Sequence, residues 1–91
     1  MPSFVQLMEA LLRGYLEAGQ PDRVLSEAPR LLAVEPLCEP GVCLLMEGCL
    51  ALGDRSGAMR AYGQLRRRLR EELGLDPGAK TQALAARARQ G

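Results

Sequence analysis

Leu11-Leu12-Arg13-Gly14-Tyr15-Leu16-Glu17-Ala18-Gly19 recurs, at a constant offset of 34 residues, as Leu45-Met46-Glu47-Gly48-Cys49-Leu50-Ala51-Leu52-Gly53. Both glycines and two leucines are kept, and Leu12 is exchanged for the equally apolar Met46. Self-similarity at such a period marks a protein stacked from one repeated supersecondary unit. The apolar spacing inside each copy, in steps of three and four, says that the unit is helical.

Outward from the repeat, each copy reads as a helix, a turn and a second helix. Ser3 and Gln6 form a capping box, and Val5, Met8, Leu11, Leu12, Tyr15 and Leu16 place a first helix over about Ser3 to Ala18. Gly19 stops it and Pro21 starts the next, whose stripe is Val24, Leu25, Ala28, Leu31 and Leu32. Pro29 removes the hydrogen bond to the Leu25 carbonyl, which predicts a kink or a late start. In the second copy Glu39-Pro40 opens a third helix that Gly53 ends, and Asp54 caps a fourth carrying Ala58, Tyr62, Leu65, Leu69 and Leu73. Gly74 ends that helix; Asp76-Pro77 then reads as a fresh cap and first turn, with Leu84 on a short fifth helix over about 77–90. Thirty-four residues is the period of tetratricopeptide helix pairs. The expected fold is therefore all-α: tetratricopeptide-like hairpins, one repeat over about 3–36, a second over about 37–74, and a C-terminal helix.

The segment Tyr62-Gly63-Gln64-Leu65-Arg66-Arg67-Arg68-Leu69-Arg70-Glu71-Glu72-Leu73-Gly74-Leu75-Asp76-Pro77-Gly78 resembles the end of the bacterial transcriptional activator domain of actinobacterial antibiotic-pathway regulators. The resemblance implies a tetratricopeptide-like module that in such regulators sits beside a winged-helix DNA-binding domain, which this chain lacks. Copy one departs from the repeat pattern in having Leu12 and Val24 where small residues let helices approach, so its hairpin is expected to splay. Leu73 is expected to close the fourth helix against the core, with Gly74 as a left-handed cap and Leu75 packing back.

Composition bounds the function. Apolar residues are 47% and aromatic residues 3%, so leucine and alanine must build a thin core. No apolar run approaches the roughly 18 residues of a membrane span, and no basic leader precedes one, which predicts a soluble cytoplasmic protein. With no histidine, no phosphate loop and no nucleophile beside a base, the sequence gives enzyme chemistry no footing, and no motif calls for a cofactor. Cys38, Cys43 and Cys49 match no metal-ligand spacing and read as reduced, buried small hydrophobes.

Residues 1–54 hold three arginines against eight acidic residues, whereas residues 55–91 hold nine lysines and arginines against three. The run Arg66, Arg67, Arg68 and Arg70 reads first as a solvated helix face, with Arg67–Glu71 and Arg68–Glu72 ion pairs; next as a contact for an acidic protein surface; and last as a nucleic-acid contact. A concave surface lined by the first helix of each pair would present Glu9, Arg13 and Leu16 from copy one and Cys43, Glu47 and Leu50 from copy two. With no preceding hairpin expected to pack on the first helix, some of Phe4, Val5 and Met8 are expected to face water as an exposed apolar end. A protein partner or neighbouring domain would cover it, or a second copy paired antiparallel through the oppositely charged halves. The function expected is a protein-interaction scaffold of a transcriptional regulator without sequence-specific DNA binding of its own; a free-standing tetratricopeptide adaptor is the alternative.

Overall fold

A computed structural model describes residues 1–90, and every regular element among them is a helix. They are α1 (Phe4–Glu17), α2 (Pro21–Val34), α3 (Glu39–Ala51), α4 (Arg55–Leu73) and α5 (Ala79–Gln90). Local chemistry sets the boundaries. The Ser3 amide donates to Gln6 Oε1 at 2.9 Å while the Gln6 amide donates to Ser3 Oγ at 3.1 Å. Asp54 Oδ1 accepts the Gly57 amide at 2.9 Å at the start of α4.

The turns from α1 to α2 and from α3 to α4 are copies of each other. Gly19 (φ 71°) donates its N–H to the Leu16 carbonyl at 3.1 Å, and the Gln20 N–H reaches the Tyr15 carbonyl at 2.8 Å. Gly53 (φ 75°) donates to Leu50 at 3.1 Å, and Asp54 reaches Cys49 at 2.8 Å. This is the paired closure of a helix that needs a left-handed residue after its last turn, and only glycine adopts that conformation without cost. The 34-residue repeat is thus a repeat of hydrogen bonds as well as of letters.

The helices zigzag into two layers. α1, α3 and α5 lie side by side; α2 packs against α1 and α3, and α4 against α3 and α5. The shortest dimension, 19 Å, is that of two helices stacked roughly 10 Å apart. One buried cluster joins Met8, Leu12, Val24, Ala28, Leu31, Cys38 and Leu44 across α1, α2 and α3. The other joins Val42, Met46 and Cys49 to Ala58, Tyr62, Leu65 and Leu69 of α4 and to Leu84, Ala85 and Ala88 of α5.

α5 is tied down at both ends by other helices. Glu39 Oε2, at the start of α3, accepts the Gly78 N–H and, at 2.6 Å, the Thr81 hydroxyl. At the other end the Arg55 guanidinium donates to the Ala88 carbonyl at 2.6 Å and to the Arg89 carbonyl at 2.7 Å. A carboxylate at the positive end and a guanidinium at the negative end both complement the helix dipole.

Several sequence expectations are corrected. Leu12 and Val24 are both fully buried, so the first hairpin packs closely rather than splaying. α2 is helical from Pro21 to Val34 with Pro29 exposed inside it, so the helix does not start late. α5 begins at Ala79, not at Pro77, because the Asp76 carboxylate is drawn to Arg70 at 2.7 Å and Glu39 takes over the capping. Leu73 and Leu75 are exposed, since Gly74 (φ 65°) turns the chain away from the core. At the N-terminal end Phe4 is exposed, but Val5 is half-buried and Met8 is buried against α2 and α3.

Candidate interaction surfaces

Three surfaces collect the candidate residues. The first is a cleft of ≈ 470 Å³ in the α1–α3–α5 layer, walled by Arg13, Glu39, Pro40, Leu44 and Lys80, with Cys43 at its base. Of the expected groove residues, Arg13 and Cys43 meet there. Cys43 is buried because α5 covers it, with its sulfur 3.1 Å from Thr81 Oγ1. The single Thr81 hydroxyl proton goes to Glu39, which makes the Cys43 thiol the donor to Thr81. Glu9 points instead to the start of α3, where it accepts the Cys38 thiol at 3.3 Å. Leu16 and Leu50 are half-buried against the two cores, and Glu47 is half-buried on α3. Burial pushes all three thiols up; Cys38, which also faces the Glu9 carboxylate, reaches about 11. They are thiols, not thiolates, at neutral pH, and that suppresses both nucleophilic and metal-binding chemistry.

The second surface is a cleft of ≈ 550 Å³ between α4 and α5. Arg66, Arg67 and Arg70 line it together with Arg89 from α5, whose guanidinium carbon lies 5.8 Å from the Tyr62 ring centroid. Arg68 is not part of it: that side chain turns toward Leu32 and Pro36 and pairs with Glu72 at 3.6 Å. Among the described residues Arg67 forms no ion pair with Glu71, contrary to the sequence expectation. Sequence reasoning missed Arg89 because it joins the cluster only when α5 folds back along α4.

The third surface is the outward face of α1. Phe4 (44% exposed), Leu7 (56%) and Leu11 (40%) lie three and four residues apart on one side of that helix. An apolar end was expected here; it is built from Phe4, as expected, with Leu7 and Leu11 rather than Val5 and Met8.

The comparison with known proteins agrees with this architecture. Residues 2–89 match the bacterial transcriptional activator domain. The chain belongs to that family. Among relatives of this bacterial transcriptional activator domain is Regulatory protein AfsR of Streptomyces griseus, 40% identical over 73 residues, or 80% of this chain and 8% of the relative. Regulatory protein AfsR of Streptomyces coelicolor is 36% identical over 83 residues, or 91% of this chain and again 8% of the relative. The activator domain described here therefore spans less than a tenth of the length of those regulators. No solved structure matches it. Among the described residues no helix is long and apolar enough to cross a membrane.

Proposed function

We propose that this activator domain is a non-enzymatic, protein-binding segment of a cytoplasmic transcriptional regulator, and that its main docking face is the outward side of α1. The observation that carries the proposal is a difference between the two copies of the repeat. On α3, Gly41 and Gly48 are buried where Leu31, Val24 and Leu25 of α2 pack against them, and Leu44 is buried in the cluster that α1, α2 and α3 share. The residues 34 positions earlier are Leu7, Ala10 and Gly14, and all three are exposed. α1 thus repeats a helix-receiving face, with Phe4 and Leu11 beside it, and among the described residues no helix lies upon it. The occupant is an amphipathic helix of a neighbouring domain or subunit, seated on α1 as α2 is seated on α3.

Two features support the non-enzymatic part. The chain has no histidine, and its three cysteines are buried and held protonated. The arginines of α4 have no recognition helix or arm to carry them to base edges, so any DNA contact by this segment would be with phosphates, and sequence selection would belong elsewhere. The match to the bacterial transcriptional activator domain, together with relatives that are regulatory proteins, favours transcription over a free-standing adaptor.

The test is a reporter of promoter activation in an actinobacterial host. The chain in its natural polypeptide would carry Leu7→Ser with Leu11→Ser, both already exposed and so compatible with folding. Loss of activation at unchanged protein level and unchanged promoter binding is expected. Full activation by the double variant would refute the docking role of α1.

A further inference from the structure

The cleft between α4 and α5 combines two properties that a solvated basic helix face does not need. Its arginines converge from two helices, and its floor is apolar. Met59, Tyr62 and Gly63 share one face of α4 with Arg66, Arg67 and Arg70, at steps of three and four. α5 runs back along α4, as the bonds from Arg55 to the Ala88 and Arg89 carbonyls require, and so brings Arg89 over Tyr62. Arg70 is neutralised by Asp76. Arg66, Arg67 and Arg89 face no carboxylate within ion-pair distance among the described residues. Guanidiniums gathered in this way repel one another until an anion enters, and each presents a planar fork suited to a carboxylate.

Gly63 adds an independent observation. It sits in the interior of α4, where glycine weakens a helix relative to alanine. No neighbour requires it, since a Cβ built there would meet nothing within 4 Å. What the missing side chain leaves is open space on the cleft floor beside Tyr62 and Met59.

We infer that this cleft binds a short acidic protein segment, with carboxylates on Arg66, Arg67 and Arg89 and one apolar side chain seated over Met59, Tyr62 and Gly63. The site is distinct from the α1 face and stands whether or not that face docks a helix. Nucleic acid fits less well. A phosphate backbone has no use for a recessed apolar floor, and Glu71 and Glu72, which continue α4 beyond the arginines, repel a polyanion running along the helix.

The experiment is fluorescence anisotropy of the full chain with a labelled twelve-residue peptide of aspartate and glutamate around a single central leucine. Saturable binding is expected, lost when the acids are replaced by asparagine and glutamine, and weakened about tenfold when the leucine becomes serine. Arg66→Ala with Arg89→Ala should weaken binding by about tenfold or more. Gly63→Leu, with helicity checked by circular dichroism, should weaken it comparably by filling the floor. Arg68→Ala, outside the cleft, should leave it unchanged, as should Arg13→Ala on the α1–α3–α5 cleft. Equal losses for Arg68→Ala and Arg66→Ala with Arg89→Ala would show a diffuse charge effect and overturn the inference. So would indifference to Gly63→Leu, or an arginine-dependent preference for a single-stranded oligonucleotide over the peptide.

Discussion

Gly48 of α3 lies so close to Val24 of α2 that a Cβ on the glycine would stand 3.1 Å from Val24 Cγ1 and 3.2 Å from Val24 Cβ. Leu25 Cδ1 would be closer still, at 2.9 Å. Gly14, 34 positions earlier on α1, would meet nothing within 4 Å. The same residue at the same place in the repeat is thus a packing requirement in one copy and a vacancy in the other.

From that asymmetry, alanine at the two glycines should have opposite effects. Gly14→Ala should raise stability by roughly 0.5–1 kcal/mol, the usual gain from removing an interior helix glycine. Gly48→Ala gains the same propensity but forces the α2–α3 contact apart, at a cost of roughly 1–3 kcal/mol. Urea unfolding of the two variants measures both. A Gly48→Ala protein as stable as Gly14→Ala would mean that α2 does not seat closely on α3.

Glu39 is the tie between the start of α3 and the start of α5, through the Gly78 N–H and the Thr81 hydroxyl. Glu39→Ala should cost roughly 1–3 kcal/mol, because two donors at the positive end of α5 lose a charged acceptor. The loss should be local. Amide hydrogen exchange should accelerate over residues 79–90 well before the rest of the chain, and uniform acceleration would contradict the role assigned to this carboxylate.

Cys38 gives the protein an alkaline weak point. Its folded-state pKa of about 11 lies above the ordinary thiol value of 9.0, chiefly through burial. The folded state therefore keeps a proton that the unfolded chain releases, and stability is unaffected below pH 9 but declines from pH 9 to about 11. Cys38→Val should flatten that decline, by roughly 2 kcal/mol across the interval, in stability measured against pH. An identical slope in the parent and the variant would place the alkaline sensitivity elsewhere.

What the sequence made legible was local. The capping box at Ser3, the glycine turns at Gly19 and Gly53 and the left-handed Gly74 depend on neighbours a few residues away, and each is found where the pattern put it. The misassignments depended on distant partners. Asp76 has a good cap composition, but its carboxylate goes to Arg70, and Glu39, far off in the sequence at the start of α3, caps α5 instead. On α1 nearly every side bears an apolar residue, so the choice of inward stripe depends on which helices are present. α2 and α3 take Met8 and Leu12 and leave Leu7 and Leu11 outside. Cys43 does line a cleft with Arg13 but is largely covered because α5 lies on it, and Arg89 reaches the basic cluster by the same fold-back. The position of α5 is a tertiary fact; its sequence, alanine-rich with Leu84 as its one large aliphatic side chain, shows a helix but not where it docks.

Among the described residues α1 presents a helix-receiving face with no helix upon it, and sedimentation velocity at rising concentration and at two salt levels reads whether that face pairs. With no partner supplied, the isolated chain should associate reversibly through Phe4, Leu7 and Leu11, because burial of apolar surface drives pairing of such faces. That association should persist at high salt and disappear in Leu7→Ser with Leu11→Ser, with helicity unchanged. A parent chain that stays monomeric at high micromolar concentration would contradict pairing through that face. So would association that survives the double substitution and is abolished by salt, which would assign the pairing to the oppositely charged halves of the chain instead.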